Sequence, residues 1–369
     1  MTPAALPGGG ATGLTRLIAR LGGRHRRGLQ FGSLGAPRGN RRALGDEAVQ
    51  LLREALAADL AALNAARLVQ TARTERDLRR AAIGGAVAGL LLGLTMGGVA
   101  LALGMAIGGA AFCLLLVAGR GQDVAREAAK RAIVQRMAPP LISLAPLPPD
   151  QTRQRLSPER LEGLELFAPI HTVTVDECLT GLRDSNAVTV ARIGFHLGNR
   201  NDRKTVIGGG LCFVIVVVSA PGIARTAGDR TVVVPADAAF GLRKSIEARG
   251  GAPSGALRTP GGEYQVFGNA ACLGSGLVEG LRAAEAVARA DATATREVAP
   301  GDGLRPYLSI RPGTLAVLTP LAHFDGAFDP PPVWEPLDVD RLIPVFGSDL
   351  MTLDDYVTAA MALAKGLSE

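Results

Sequence analysis

Aromatic residues are scarce in this chain, 4% of 369 residues, with one Trp and three Tyr. Cysteine is scarcer than any disulfide framework allows: four residues, Cys113, Cys178, Cys212 and Cys272, with no C-x-x-C pair. The fold therefore rests on a buried core, and free buried thiols are expected. The apolar fraction of 47% suffices for such a core and excludes a wholly disordered chain. Lysine is nearly missing: of 40 basic residues only Lys130, Lys204, Lys244 and Lys365 are not Arg. Acidic residues are missing from positions 1–45, which hold eight Arg. The length suits about two domains.

The net charge of +6 hides an asymmetry. Residues 1–139 carry +11, and residues 140–369 carry −5. The high isoelectric point belongs to the first third, so it is no argument for nucleic-acid binding by the whole chain. Residues 1–45, rich in Pro, Gly and Arg, read as a disordered basic tail. Within it, Leu14 to Leu21 has the pattern of a short amphipathic helix, with Arg16 and Arg20 placed for anionic lipid. A solvated basic tail is the competing reading. Gly8 to Gly13 spells G-x-G-x-x-G, but no strand precedes it and no acidic ribose partner follows. Leu14 stands where a phosphate-binding loop needs Lys.

Charge is also absent from 81–119, and ten of these 39 residues are Gly. As one helix this stretch would run about 58 Å, roughly twice a bilayer core. The reading is a transmembrane helical hairpin with spans at about 81–97 and 98–119, turning at Thr95-Met96-Gly97-Gly98. Arg67, Arg73, Arg76, Arg79 and Arg80 precede it; Arg120, Arg126, Lys130, Arg131 and Arg136 follow. Positive flanks on both sides place both ends, and both termini, on the cytoplasmic side. A helical hairpin buried in a soluble core is the alternative. Gly85, Gly89, Gly93 and Gly97 recur every four residues, and Gly104 and Gly108 repeat the step. Such a row flattens a helix face for close packing, within the chain or between chains.

Residues 46–80 read as a helix, with Leu52, Leu56, Leu60 and Leu63 on one stripe. Residues 122–138 read as a second helix, the two forming a stalk. Five prolines between 139 and 149 predict a linker over 139–150. The remainder, 151–369, reads as one α+β domain with a mainly antiparallel sheet and flanking helices. Strands are predicted at 187–197, along the apolar run 211–218, at 231–235, 264–267, 307–310 and 315–319. The run 211–218 suggests a strand covered on both faces. Helices are predicted at 277–290 and 352–367, the latter opening at Thr352 with Asp355 three residues on.

The order of elements carries a resemblance. A basic helix, a glycine-rich double span and another helix lead into a β-rich domain. There, Arg203-Lys204-Thr205-Val206-Ile207-Gly208-Gly209 precedes the long apolar strand. Asp229-Arg230-Thr231-Val232-Val233-Val234-Pro235-Ala236-Asp237 follows it, then Glu263-Tyr264-Gln265-Val266-Phe267 and Phe328-Asp329-Pro330. Over roughly 45–365 the chain resembles the bacterial domain-of-unknown-function family numbered 3137. The resemblance implies a membrane-anchored bacterial protein with a cytoplasmic domain and supplies no catalytic residues. It also suggests a LemA-like membrane protein as partner.

Chemistry-bearing residues are dispersed. His25, His171, His196 and His323 are the four histidines. His171 and Glu177 share strand parity, which would allow a metal pair; exposed polar strand positions are the plainer reading. Asp354-Asp355 reads as helix N-terminal charge. Ser275 lacks the first Gly of a nucleophile elbow. No catalytic or metal-binding set emerges and no cofactor is implied. The basic hairpin tip with Arg200, Arg203 and Lys204 is a candidate contact for anionic lipid. The expectation is a membrane-anchored cytoplasmic interaction or scaffold module without enzymatic activity at the bacterial inner membrane. Its partners are the bilayer, and itself or another membrane protein, not nucleic acid. Alternatives are an oligomeric transport or channel component assembled through the glycine spans, and an enzyme with an unrecognised site.

Overall fold

The structure, a computed structural model, describes residues 44–167, 169–197, 207–223, 230–238, 246–247, 251–270, 273, 275–294, 304–321, 328, 330–331 and 336–368. The tail residues Arg16 and Arg20, the hairpin tip with Arg200, Arg203 and Lys204, and His25 and His323 lie outside the described residues.

Two long helices open the described chain. Helix α1 spans Asp46–Met96 and α2 spans Val99–Ile142. They lie antiparallel and turn at Gly97-Gly98, where Gly98 has a φ of 106° that only glycine adopts without strain. Each apolar arm is continuous with its stalk helix, so the stalk and hairpin are one pair of helices. The leucine stripe explains the lower end of α1. Leu52 and Leu56 are fully buried, and Leu60 and Leu63 pack beside them.

The predicted linker is not one. Helix α2 continues through Pro139 and Pro140 to Ile142, ending on Ser143 in the left-handed conformation, whose N–H donates to the Pro139 carbonyl at 3.0 Å. Met137, Ala138 and Ile142 bury their side chains here, and that packing outweighs the backbone hydrogen bonds two prolines remove. Strand β1 (Ala145–Pro146), helix α3 (Pro149–Arg155) and helix α4 (Pro158–Glu162) follow directly.

Strands β2 (Ile170–Arg183), β3 (Asn186–Leu197), β4 (Ile207–Ser219), β5 (Thr231–Pro235), β6 (Gly255–Thr259) and β7 (Gly262–Gly268) come next. Helix α5 (Ser275–Ala294), strands β8 (Tyr307–Arg311) and β9 (Thr314–Pro320), helix α6 (Val339–Leu342), a π-helical turn (Ile343–Gly347) and helix α7 (Ser348–Gly366) complete the described elements. The sheet is antiparallel throughout, in the order β1-β2-β3-β4-β9-β8-β5-β7-β6. The fold is thus α+β with one large antiparallel sheet.

Alternation along the strands divides the core in two. Val188, Val190, Val214, Val216 and Val317 face a layer built from α1, α2, α5 and α7. Ala191, Ile193, Phe195, Phe213 and Ile215 face Leu156, Leu161, Leu166 and Phe167. Few as the aromatics are, Phe167, Phe195 and Phe213 cluster in this second core, with ring centroids 4.6 to 5.4 Å apart. The unbroken apolar run of β4 follows from this double coverage. Helix α7 begins four residues before Thr352. The π-helical turn feeds it without a break, and Thr352 donates its hydroxyl to the Ser348 carbonyl inside the helix rather than capping it.

Stalk and sheet share the first core, where Leu52, Leu56, Ile133, Val134 and Met137 meet sheet and helix residues. Polar contacts tie the stalk to the segment before α6. Asn64 exchanges two hydrogen bonds with the backbone of Leu337, at 2.7 and 3.0 Å, and Arg67 donates to the Pro331 carbonyl at 2.8 Å.

Candidate functional site

The six glycines predicted to pack helices divide into two groups. A Cβ on Gly85, Gly89 or Gly93 would run into the backbone of Gly109, Met105 or Ala102 across the hairpin. These three are flattened against the chain's own α2. Gly109, which the four-residue spacing does not pick out, supplies the opposing face. Gly104 and Gly108 do not join the row: a Cβ on either meets nothing within 4 Å. Gly97 ends α1 and approaches only the Leu101 side chain. The outward surface of both arms is apolar, with Ile83, Leu91, Met96, Val99, Ile107 and Phe112 more than half exposed. Among the described residues, Arg76–Met96 is the one helical segment long and apolar enough to cross a membrane; Val99–Leu114 is apolar but shorter.

Below the hairpin, α2 crosses strand β2 at a bulge. Val175 pairs with Ile193 and Cys178 with Ala191, so Asp176 and Glu177 together oppose Arg192 alone. The extra residue turns two neighbouring acids toward α2. There Lys130, 4% exposed, places its ammonium on both the carboxylate and the backbone carbonyl of Asp176. Glu177, 7% exposed, is 3.7 Å from the same ammonium, and its Oε1 receives no hydrogen bond.

Electrostatics follow from that crowding. Burial pushes the Glu177 carboxyl up to about 7, against the opposing pull of Lys130. Burial alone would lower the Lys130 pKa, but Asp176, Glu177 and Glu127 together raise it, so the ammonium stays charged. Burial pushes the neighbouring Cys178 thiol up to about 11, which keeps it protonated and unreactive.

A cavity of about 410 Å³ lies beside them, between α2, α3, α4 and β2. Asp176, Glu177 and Cys178 line its β2 side. Leu147, Leu156, Val173 and Val175 supply apolar wall, and Arg131 and Arg153 stand at its edge with Glu127. Arg131 pairs with Glu127 at 3.7 Å, both half exposed.

His171 and Glu177, which strand parity alone would allow as a metal pair, do not keep a regular strand register. Bulges at 170–172 and 175–178 interrupt the parity that would put His171 and Glu177 on one face. Among the described residues no three His, Cys, Asp or Glu are grouped to hold a metal ion. Asp354 and Asp355 lie beyond the first turn of α7, whose acidic residue is Asp349, so they are not helix N-terminal charge; Asp354 takes an ion pair from Arg183 that ties β2 to α7. Glu285 of α5 accepts from Tyr264, Thr259 and the Gly261 N–H, which anchors the β6–β7 turn.

Sequence reasoning passed over Lys130 and Asp176. Two signals were present. Lys130 is one of four lysines in an arginine-rich chain, and a compact ammonium suits a buried site better than a planar guanidinium. In Thr172-Val173-Thr174-Val175-Asp176-Glu177-Cys178 the alternation breaks at the two acids. The chain matches no protein-family model, no curated protein and no solved structure.

Proposed function

We propose that the chain is a membrane-anchored interaction module. Residues 81–119 insert as a hairpin into the bacterial inner membrane, and the α+β domain, with both termini, stands on the cytoplasmic side. One observation carries the reading: the same two helices expose apolar side chains at one end and build the domain's core at the other. A hairpin made this way fixes the domain at a set height and orientation against the bilayer, which is what a scaffold requires. Only 22% of the most apolar window of α1 is buried, where a core helix of a water-soluble fold would be mostly covered. The arginines that flank the hairpin favour a cytoplasmic location for both its ends. The resemblance to the 3137 family points the same way, with the bilayer, a second copy or a LemA-like membrane protein as partners.

Assembly of a channel through the glycine row is the weaker reading, because Gly85, Gly89 and Gly93 are already closed against α2. Catalysis by Cys178 is disfavoured by its protonated thiol. The test is fractionation of cells expressing the full chain, with an alkaline carbonate wash. Retention in the pellet until detergent is added supports the anchor; recovery in the carbonate supernatant overturns it. Crosslinking in intact membranes then identifies what the domain holds.

A further inference from the structure

We propose that the cavity between α2, α3, α4 and β2 binds a small zwitterion. Its ammonium end is received by Glu177 and its acidic end by Arg131 and Arg153. The inference concerns the domain and stands whether or not the hairpin enters a membrane.

Burial sorts the polar groups of the cavity into a floor and a rim. Asp176 and Glu177, at 20% and 7% exposure, form the floor, and half-exposed Arg131 with exposed Arg153 forms the rim. On the floor, Lys130 commits its hydrogen bonds to Asp176. Glu177 Oε1 accepts no hydrogen bond and stands 3.7 Å from that same ammonium, so two carboxylates share one cation, and a ligand ammonium at the Glu177 carboxylate would balance the surplus negative charge. At the rim, Arg131 shares its charge with Glu127, while Arg153 has no carboxylate partner among the described residues. A guanidinium so placed receives a carboxylate or phosphate through paired N–H donors. Leu147, Leu156, Val173 and Val175 also line the cavity and suit a short methylene stem. A volume of about 410 Å³ is ample for such a molecule. A bare divalent cation is the wrong occupant, since no metal-holding group of acids is present among the described residues.

The ammonium–anion pair also heads phosphatidylethanolamine. Lys130 lies ten residues beyond Arg120 on α2, about 15 Å along the helix from the edge of the apolar stretch. That distance favours a soluble zwitterion over a headgroup held in the bilayer.

The experiment uses the full chain in phosphatidylcholine nanodiscs, whose headgroup offers no N–H. Calorimetric titration with the ω-amino acids from glycine to 6-aminohexanoate is expected to give saturable binding for at least one chain length. The plain amine, the plain carboxylate of that length and magnesium chloride should each bind about tenfold more weakly or not at all. Glu177→Gln should weaken binding about tenfold, and Arg153→Ala several-fold. If Glu177→Gln fails to fold by circular dichroism, Arg153→Glu, on an exposed side chain, carries the test. A second set of nanodiscs containing phosphatidylethanolamine separates the sources. Displacement of the amino acid by that lipid assigns the site to a headgroup, and no displacement assigns it to a soluble ligand. The proposal is overturned if no amino acid and no phosphatidylethanolamine binds, if the amine alone binds as well, or if the variants bind unchanged.

Discussion

A single ammonium faces two carboxylates where β2 bulges against α2. Water would screen such a group; the interior does not, so one carboxyl retains its proton near neutrality. The folded-state value for Glu177, about 7, exceeds the ordinary 4.5, so folding takes up a proton between those limits. The stabilising contribution of this group is therefore complete below about pH 4.5 and is lost as pH rises through about 7, on the order of 3 kcal/mol. In Glu177→Gln that decline should vanish. Thermal unfolding of the detergent-solubilised wild type and variant at a series of pH values measures the difference. Lys130 works in the opposite sense. Lys130→Met removes the ammonium that half-buried Asp176 and buried Glu177 share and should cost about 3–5 kcal/mol at neutral pH. A loss under 1 kcal/mol would mean that the acids relax into water.

At the scale of elements, the hairpin turns on which glycines are covered. Gly89→Leu forces a side chain into the Met105 carbonyl, so the arms must part and the thermal midpoint must fall. Gly104→Ala and Gly108→Ala meet open space within the chain, and each should be neutral or stabilising by up to about 1 kcal/mol. If those alanines instead lower the midpoint and change the oligomeric state on size exclusion, the outer glycines pack between chains. Local composition misleads at Pro139-Pro140. Proline lowers helicity wherever it stands, but these two occupy exposed positions in the last turn, while Met137, Ala138 and Ile142 hold that turn to the core. Strand β2 was legible only as the strand parity of His171 and Glu177, because its two bulges break the period-two pattern that gives a strand its bounds. The predicted strands β3, β4, β5, β7, β8 and β9 carry apolar alternation or apolar runs with hairpin turns between some of them, and they stand within a few residues of the expected places.

For the molecule as a whole, the stalk is part of the domain. Removing residues 1–138 would take Leu52, Leu56, Ile133, Val134 and Met137 from the first core, at roughly 1.5–3 kcal/mol each. That sum reaches the whole stability of an ordinary domain, so the truncated chain should aggregate. Excising 81–119 and joining the stalk helices with a short Gly-Ser turn keeps the core intact. This version should fold cooperatively by circular dichroism and remain in the supernatant after centrifugation. Insolubility of the excised form, with a soluble truncation, would contradict the shared core.

The sequence by itself determined the class: α+β, a helical pair with an uncharged glycine-rich end, and strands wherever β-branched residues alternate or run together. Those properties are local, set by periodicity over ten or twenty neighbours and by the cost of burying charge. Only the tertiary structure decided that β5 lies between β8 and β7, that the stalk enters the core, and that the prolines after Ala138 belong to a helix and a strand rather than a tether. It alone brought Lys130 to Glu177 across 46 intervening residues. Neither residue stands out in its own segment, and the energy that marks them arises only when both leave water together.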